Sequence, residues 1–141
     1  MNNLESLQKE LEVIEQNSIS KFSFKNYKTL IKIIRVIDGD SVVAIFKFNN
    51  QFYKYNFRIN GIDTPEINSK NEYEKKKGID TKIYVQNLLI NKILFAEFLD
   101  FDKYGRILLN LYLNSNENIS EHLINGGYAN KYDGGGKSSW I

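Results

Sequence analysis

From the N-terminus onward the hydrophobic period of the chain changes several times, and each change marks an element. Residues 3–16 place Leu4, Leu7, Leu11 and Ile14 at spacings of 3, 4 and 3, one apolar stripe on a helix. Residues 17–27 are polar and rich in Ser and Asn, which reads as a linker or irregular approach. From Lys28 the pattern becomes that of strands. Residues 29–37 (TLIKIIRVI) and 41–48 (SVVAIFKF) read as buried strands, and Asp38-Gly39-Asp40-Ser41 between them reads as a type I′ hairpin turn. Asn49-Asn50 then turns the chain into residues 51–60, which alternate cleanly. Tyr53, Tyr55, Phe57 and Ile59 take one face; Phe52, Lys54, Asn56, Arg58 and Asn60 take the other.

Residues 61–78 read as a loop carrying the run Lys75–Lys77. A helix is predicted over 80–91, with Asp80 as N-cap and Ile79, Ile83, Val85, Leu89 and Ile90 supplying apolar contacts. Strands follow at 93–99 and 106–113, joined through Asp102-Lys103-Tyr104-Gly105, then a short helix near 118–126 and a glycine-rich end at 134–136. The order β-β-β-α-β-β-α is that of a mainly β, α+β fold, a five-stranded OB-type barrel with inserted helices. The expected division is residues 1–27 as N-terminal helix and linker, and 28–141 as the barrel domain. A helix of about 14 residues is marginal alone in water. Its apolar stripe is therefore expected to dock on the barrel.

Composition narrows the chemistry. At 141 residues the chain is one domain, long enough for a core without disulfides. It has no cysteine, which excludes thiol nucleophiles, Cys-zinc sites and disulfide scaffolds. The one histidine, His122, excludes paired-imidazole catalysis and multi-histidine metal sites, and reads as a partly buried spacer. No apolar run reaches membrane-spanning length and no apolar block opens the chain, so the expectation is an intracellular, cytoplasmic monomer with no membrane partner. The net charge of +2 divides into −1 over residues 1–27 and +3 over the rest, which permits a polyanion partner without arguing for one. The choice of cation is more telling. Of 19 basic residues only Arg35, Arg58 and Arg106 are arginine, and Pro65 is the one proline. Where charge alone suffices this chain uses Lys, so a surviving Arg points to a need for the planar fork.

Taken singly, each polar turn has a plain reading. Asp38–Ser41 is a hairpin turn; Asp63-Thr64-Pro65-Glu66 is a helix start, although residues 67–73 carry no apolar stripe to serve it. Asp102–Arg106 is a strand-joining turn. Gly136-Lys137-Ser138 mimics the end of a phosphate-binding loop, but that loop's first glycine would fall at Lys131 and no helix can follow. Together, the Asp-Gly-Asp turn, Phe57-Arg58-Ile59-Asn60-Gly61-Ile62-Asp63-Thr64-Pro65-Glu66 and Asp102-Lys103-Tyr104-Gly105-Arg106 are another matter. In order and spacing they resemble the staphylococcal nuclease (thermonuclease) family, and Glu121 with Gly127-Tyr128-Ala129 resembles its C-terminal signature. The resemblance covers roughly residues 28–132.

The resemblance implies an OB-fold endonuclease that cuts DNA and RNA with bound calcium and leaves 3′-phosphate ends. It implies Asp40, Asp63 and the carbonyl of Thr64 as metal ligands, Glu66 as general base, and Arg58 and Arg106 as phosphate clamps. Lys103 and Tyr104 match residues that touch the terminal phosphate of a bound nucleotide, and Tyr132 a base-stacking tyrosine. Phosphodiester hydrolysis independently wants this set. Charge builds on the equatorial oxygens, so catalysis is largely positioning and charge stabilisation. Two carboxylates and a carbonyl suit a hard cation, a third carboxylate can take water's proton, and two Arg forks can grip phosphate bidentately. Ser41 stands where the family has Thr, Asp80-Thr81-Lys82 replace small helix residues, and the family's long C-terminal helix is missing. The rival reading is a non-catalytic OB module binding single strands, and a third is an interaction domain that lost activity. Metal-dependent plasmid nicking separates them. A viral, phage or mobile-element origin would suit such an enzyme, though no residue records one.

Overall fold

The computed structural model describes residues 2–135 and 140. Helix α1 (Asn3–Glu12) is followed by one 3-10 turn (Gln16–Ser18). Then come β1 (Lys28–Asp38), β2 (Ser41–Phe48), β3 (Gln51–Ile59), β4 (Ile62–Asp63) and α2 (Glu72–Leu89). The chain continues through β5 (Ile93–Phe101), β6 (Ile107–Asn114), β7 (Glu117–Asn118), α3 (Ile119–Asn125) and β8 (Asn130–Lys131).

Antiparallel pairing in the order β3-β2-β1-β5-β6 is closed by parallel pairing of β3 with β6, Phe57–Ile59 opposite Ile107–Leu109. The result is a closed five-stranded mixed barrel, as the strand order predicts. Closure leaves no free edge over those pairs and places β3 and β6 side by side. The interior is filled by the alternate residues expected of the strands, among them Ile31, Ile33, Phe57, Ile59, Phe98, Ile107 and Leu109. β1 alternates rather than being buried throughout, with Leu30 and Lys32 facing out. Phe24 and Tyr27, from the segment that reads as linker, pack on the barrel: the Phe24 ring lies 5.0–6.4 Å from Tyr27, Phe46, Phe48, Phe98 and Phe101.

Four expectations need correction. The type I′ turn falls one hairpin later, at Asn49 (φ 54°) and Asn50 (φ 65°), because Asn tolerates the left-handed region. Gly39 has no positive φ; its glycine serves packing instead. Helix α2 starts near residue 72, not 80: Asn71 caps it by accepting from the Glu74 amide at 2.9 Å, and the Lys run lies on its first turns. Thr81, Val85 and Leu89 form its buried face, while Ile79 and Ile83 are exposed. Finally, α1 ends at Glu12 and buries none of its residues; Leu4 is 76% exposed. It does not dock. Of the glycine-rich end, Gly136-Lys137-Ser138 lies outside the described residues.

Candidate active site

The site grows from three turns that the closed barrel gathers at one mouth. The first joins β1 to β2. Gly39 lies where a Cβ would come within 2.7 Å of Thr81 Cγ2 and 2.9 Å of Thr64 Cβ, so the turn nests against α2 and the following loop. Asp40 is 9% exposed, and its backbone carbonyl accepts from the Ile59 amide at 2.8 Å, tying it to β3. Its Oδ2 pairs with an Arg58 guanidinium nitrogen at 3.0 Å and accepts from the Thr64 amide at 3.3 Å; its Oδ1 accepts from the Ser41 hydroxyl at 3.1 Å. Burial works against ionisation of Asp40, but hydrogen bonding from Asp38, the Arg58 charge, Ser41 and the Thr64 amide outweigh it and hold the carboxyl below its usual range. Burial raises its neighbour Asp38 to about 7, helped by the hydrogen bond to Asp40 and that residue's charge. Burial and mutual charge thus push these two aspartates, two residues apart, in opposite directions.

The second turn follows β3. Alternation sends Arg58 outward, away from buried Phe57 and Ile59, and its second guanidinium nitrogen donates to the Ile62 carbonyl at 3.1 Å. Asp63 (1% exposed), Thr64 and Pro65 are buried, and Glu66 is exposed. The pre-proline position disfavours helical backbone at Thr64. Helix α2 supports this loop from behind. Gly78 is so close that a Cβ there would meet the Pro65 carbonyl oxygen at 2.7 Å and the Glu66 carbonyl carbon at 2.9 Å. α2 is clamped in turn to the C-terminal elements. The Tyr84 hydroxyl is hydrogen-bonded to His122 Nε2 (2.7 Å), Glu117 holds His122 Nδ1 (3.0 Å), and Tyr84 stacks on Tyr128 at 3.9 Å. His122 is therefore a clamp rather than a spacer.

The third turn precedes β6. Asp102 Oδ1 accepts from the Tyr104 and Arg106 amides at 2.8 and 2.9 Å, and Oδ2 accepts from Arg106 Nε at 2.7 Å. Burial opposes ionisation of Asp102, but these two amides and the guanidinium outweigh it and keep the carboxyl below its usual range. Another nitrogen of Arg106 donates to the Ser41 hydroxyl at 3.2 Å, so Ser41 touches both Asp40 and Arg106. The two-residue pairing of β4 with β8, together with the Tyr132 amide bonded to the Gly61 carbonyl at 2.9 Å, carries Tyr132 over Arg58 (5.5 Å, ring to guanidinium). Arg58, Lys103, Tyr104, Arg106 and Tyr132 line one groove of about 300 Å³. Arg106 also lies 5.5 Å from the Tyr104 ring.

The residues that the resemblance assigns to the site, Asp40, Arg58, Asp63, Thr64, Glu66, Lys103, Tyr104, Arg106 and Tyr132, fall at this mouth or in the loop beside it. Asp40 is in direct contact with both Arg58 and Thr64, and buried Asp63 immediately precedes Thr64. What the motifs did not convey is the role of Asp102, which aims Arg106, and of Ser41 as the bridge. The signal lay in the spacing of Asp102 and Arg106 across a four-residue turn. Among the described residues no three or more Asp, Glu or His side chains gather as a metal cluster. The available donors are the carboxylates of Asp40 and Asp63 and the Thr64 carbonyl. An all-oxygen set of this kind suits a hard divalent cation that keeps much of its water.

Comparison with known proteins bears on this geometry. The family model for staphylococcal nuclease homologues matches residues 56–138, more than half of the chain. The chain belongs to that family. A thermonuclease of Staphylococcus hyicus is 31% identical over 100 residues, covering 70% of this chain and 56% of the relative. An uncharacterized protein of Methanocaldococcus jannaschii is 29% identical over 142 residues, with 79% and 67% covered. An endonuclease of Saprolegnia parasitica is 28% identical over 131 residues, with 82% and 62% covered. The chain thus spans between 56% and 67% of the length of these relatives. The nuclease-homologue match takes in Arg58, the Asp63–Glu66 loop, Arg106 and Tyr132, and begins after Asp40. No helix among the described residues is long and apolar enough to cross a membrane.

Proposed function

We propose that the chain is a metal-dependent endonuclease, with calcium as its cation, that hydrolyses phosphodiester bonds of DNA and RNA and leaves 3′-phosphate ends. One observation carries this reading: two fork-bearing arginines stand at one mouth, Arg58 paired with buried Asp40 and Arg106 with Asp102, and Ser41 links Arg106 to Asp40. Arg58 and Arg106 grip the non-bridging oxygens and oppose the charge that builds there as water adds. Asp40 and Asp102 hold the guanidinium planes, so little reorganisation is needed when phosphate arrives. Glu66, exposed at the loop that α2 supports, takes the proton of the attacking water. A new P–O bond forms, the bond to the 5′ oxygen breaks, and that oxygen is protonated from solvent. Tyr132 and Tyr104 offer ring faces to bases, and Lys103 a charge to the neighbouring phosphate. Asp40, Asp63 and the Thr64 carbonyl would hold calcium, which when bound polarises the phosphoryl oxygen and gathers the nucleophile.

With two carboxylates, affinity for calcium should be weak, on the order of 10⁻⁴–10⁻³ M. The test is nicking of supercoiled plasmid by purified protein in millimolar calcium, with product ends analysed. Cleavage to 3′-phosphate ends that stops in chelator and in Asp40→Asn is expected. Full activity in excess chelator would overturn the mechanism, and binding without cleavage at any divalent ion would favour a binding module.

A further inference from the structure

The groove at the mouth does not end at the catalytic residues. It shares Tyr104 and Arg106 with a second hollow of about 300 Å³ that continues along β3, lined by Lys54, Tyr55 and Asn56. Pairing of β3 with β6 begins only at Phe57, so this hollow fills the gap where the strands diverge. The outward positions of β3 run Phe52, Lys54, Asn56, Arg58, one row that ends on a catalytic arginine. Phe52, at the far end, is 71% exposed, with Lys47 Nζ 5.5 Å from its ring. From Phe52 to Arg58 the row spans roughly 20 Å at strand rise. An exposed aromatic ring with Lys47 over one face and Lys54 next along the row offers what stacking on bases and tracking a phosphate backbone require.

We infer that the outward row of β3, Phe52, Lys54 and Asn56, with the hollow beside Tyr104, is an extended subsite for single-stranded nucleic acid on one side of the scissile phosphate. It rests on the nuclease reading of the mouth and assigns that mouth its polymer track. Phe52 stacks a base several nucleotides from the cut; Lys54 pairs with a phosphate; Asn56 hydrogen-bonds base or sugar edges. A strand long enough to reach Phe52 then binds more tightly than a dinucleotide that fills only the mouth.

The test measures binding apart from cleavage. Fluorescently labelled oligothymidylates of two and eight nucleotides are titrated by anisotropy, in chelator and low salt, with wild type, Phe52→Ala and Lys54→Glu. Both side chains are exposed, so unchanged urea midpoints are expected. Wild type should bind the eight-mer more tightly, and each variant should weaken that binding about tenfold while leaving the dinucleotide unchanged. Equal losses at both lengths, no loss at eight nucleotides, or no binding of the eight-mer by wild type would overturn the subsite. Plasmid cleavage is read separately. Length-dependent binding by a protein that cuts nothing would overturn the nuclease reading and support the subsite.

Discussion

Gly78→Ala probes how α2 sets the catalytic loop. By intrinsic preference the change should help: alanine is favoured over glycine inside a helix by about 0.8–1.0 kcal/mol. The surroundings reverse this. The new Cβ would lie 2.7 Å from the Pro65 oxygen, 2.9 Å from the Glu66 carbonyl carbon and 3.0 Å from the Glu66 oxygen, all backbone atoms that no rotamer can move aside. Ordinary contact needs roughly 0.7 Å more, and overpacking of this kind costs about 1–3 kcal/mol. The two effects nearly cancel in stability, leaving a net loss of about 0–2 kcal/mol. They do not cancel in catalysis. A 1 Å misplacement of a catalytic group can cost about 10²-fold, so the shifted Glu66 loop should lower the cleavage rate by about 10- to 100-fold. The assay pairs initial plasmid-nicking rates in saturating calcium with urea midpoints of the same samples. A wild-type rate together with stability raised by about 1 kcal/mol would refute the reasoning, because the helix would then have absorbed the methyl without moving the loop.

Other perturbations separate the parts of the site. Arg58→Lys and Arg106→Lys keep charge but lose the fork, and each should cost about 10²-fold in rate, whereas Arg35→Lys should cost little; steady-state kinetics on one DNA substrate compares all three. Glu66→Gln should lower the rate by about 10²–10⁴-fold with far less change in nucleotide affinity, measured by anisotropy. Asp102 is held below its usual pKa in the fold, so its contribution is present above the unfolded value and is lost as pH falls through the folded one. The midpoint of Asp102→Asn should therefore lie below wild type at pH 7 and approach it on the acid side of pH 4, read by urea denaturation across that range. Because α1 buries nothing, deleting residues 2–15 should move the urea midpoint by no more than about 0.5 kcal/mol equivalent.

The barrel was readable because its signal is redundant. β3 alternates without interruption, and its inward set does contain the buried Phe57 and Ile59. The first half of α2 was not readable, because residues 72–80 face solvent and bury only Gly78, leaving no stripe to detect. Its start was encoded all the same, in Asn71 followed three residues later by Glu74, a capping pattern independent of periodicity. α1 shows the converse. Its stripe is clear, yet a pattern on one element says nothing about whether a matching surface exists nearby. At the site, motif residues were legible by type and spacing. The aiming of Arg106 by Asp102 and the carriage of Tyr132 by a two-residue ladder depend on backbone hydrogen bonds that leave no side-chain pattern.

The parallel seam between β3 and β6 has a consequence for the nascent chain. Arg58 lies on one side of the seam and Arg106 immediately precedes the other, 48 positions later in the sequence. Every other pairing among the five barrel strands is antiparallel. The seam joins residues 50 positions apart and forms only once β6 has been made; with the pairing of β1 and β5, whose partners lie 61–69 positions apart, it makes closing the ring a step of high contact order and correspondingly slow. Until then the first arginine and both buried aspartates have no second clamp opposite them. A chain still being synthesised, or one whose ring has come open, therefore lacks the facing pair of arginines on which the proposed cleavage depends.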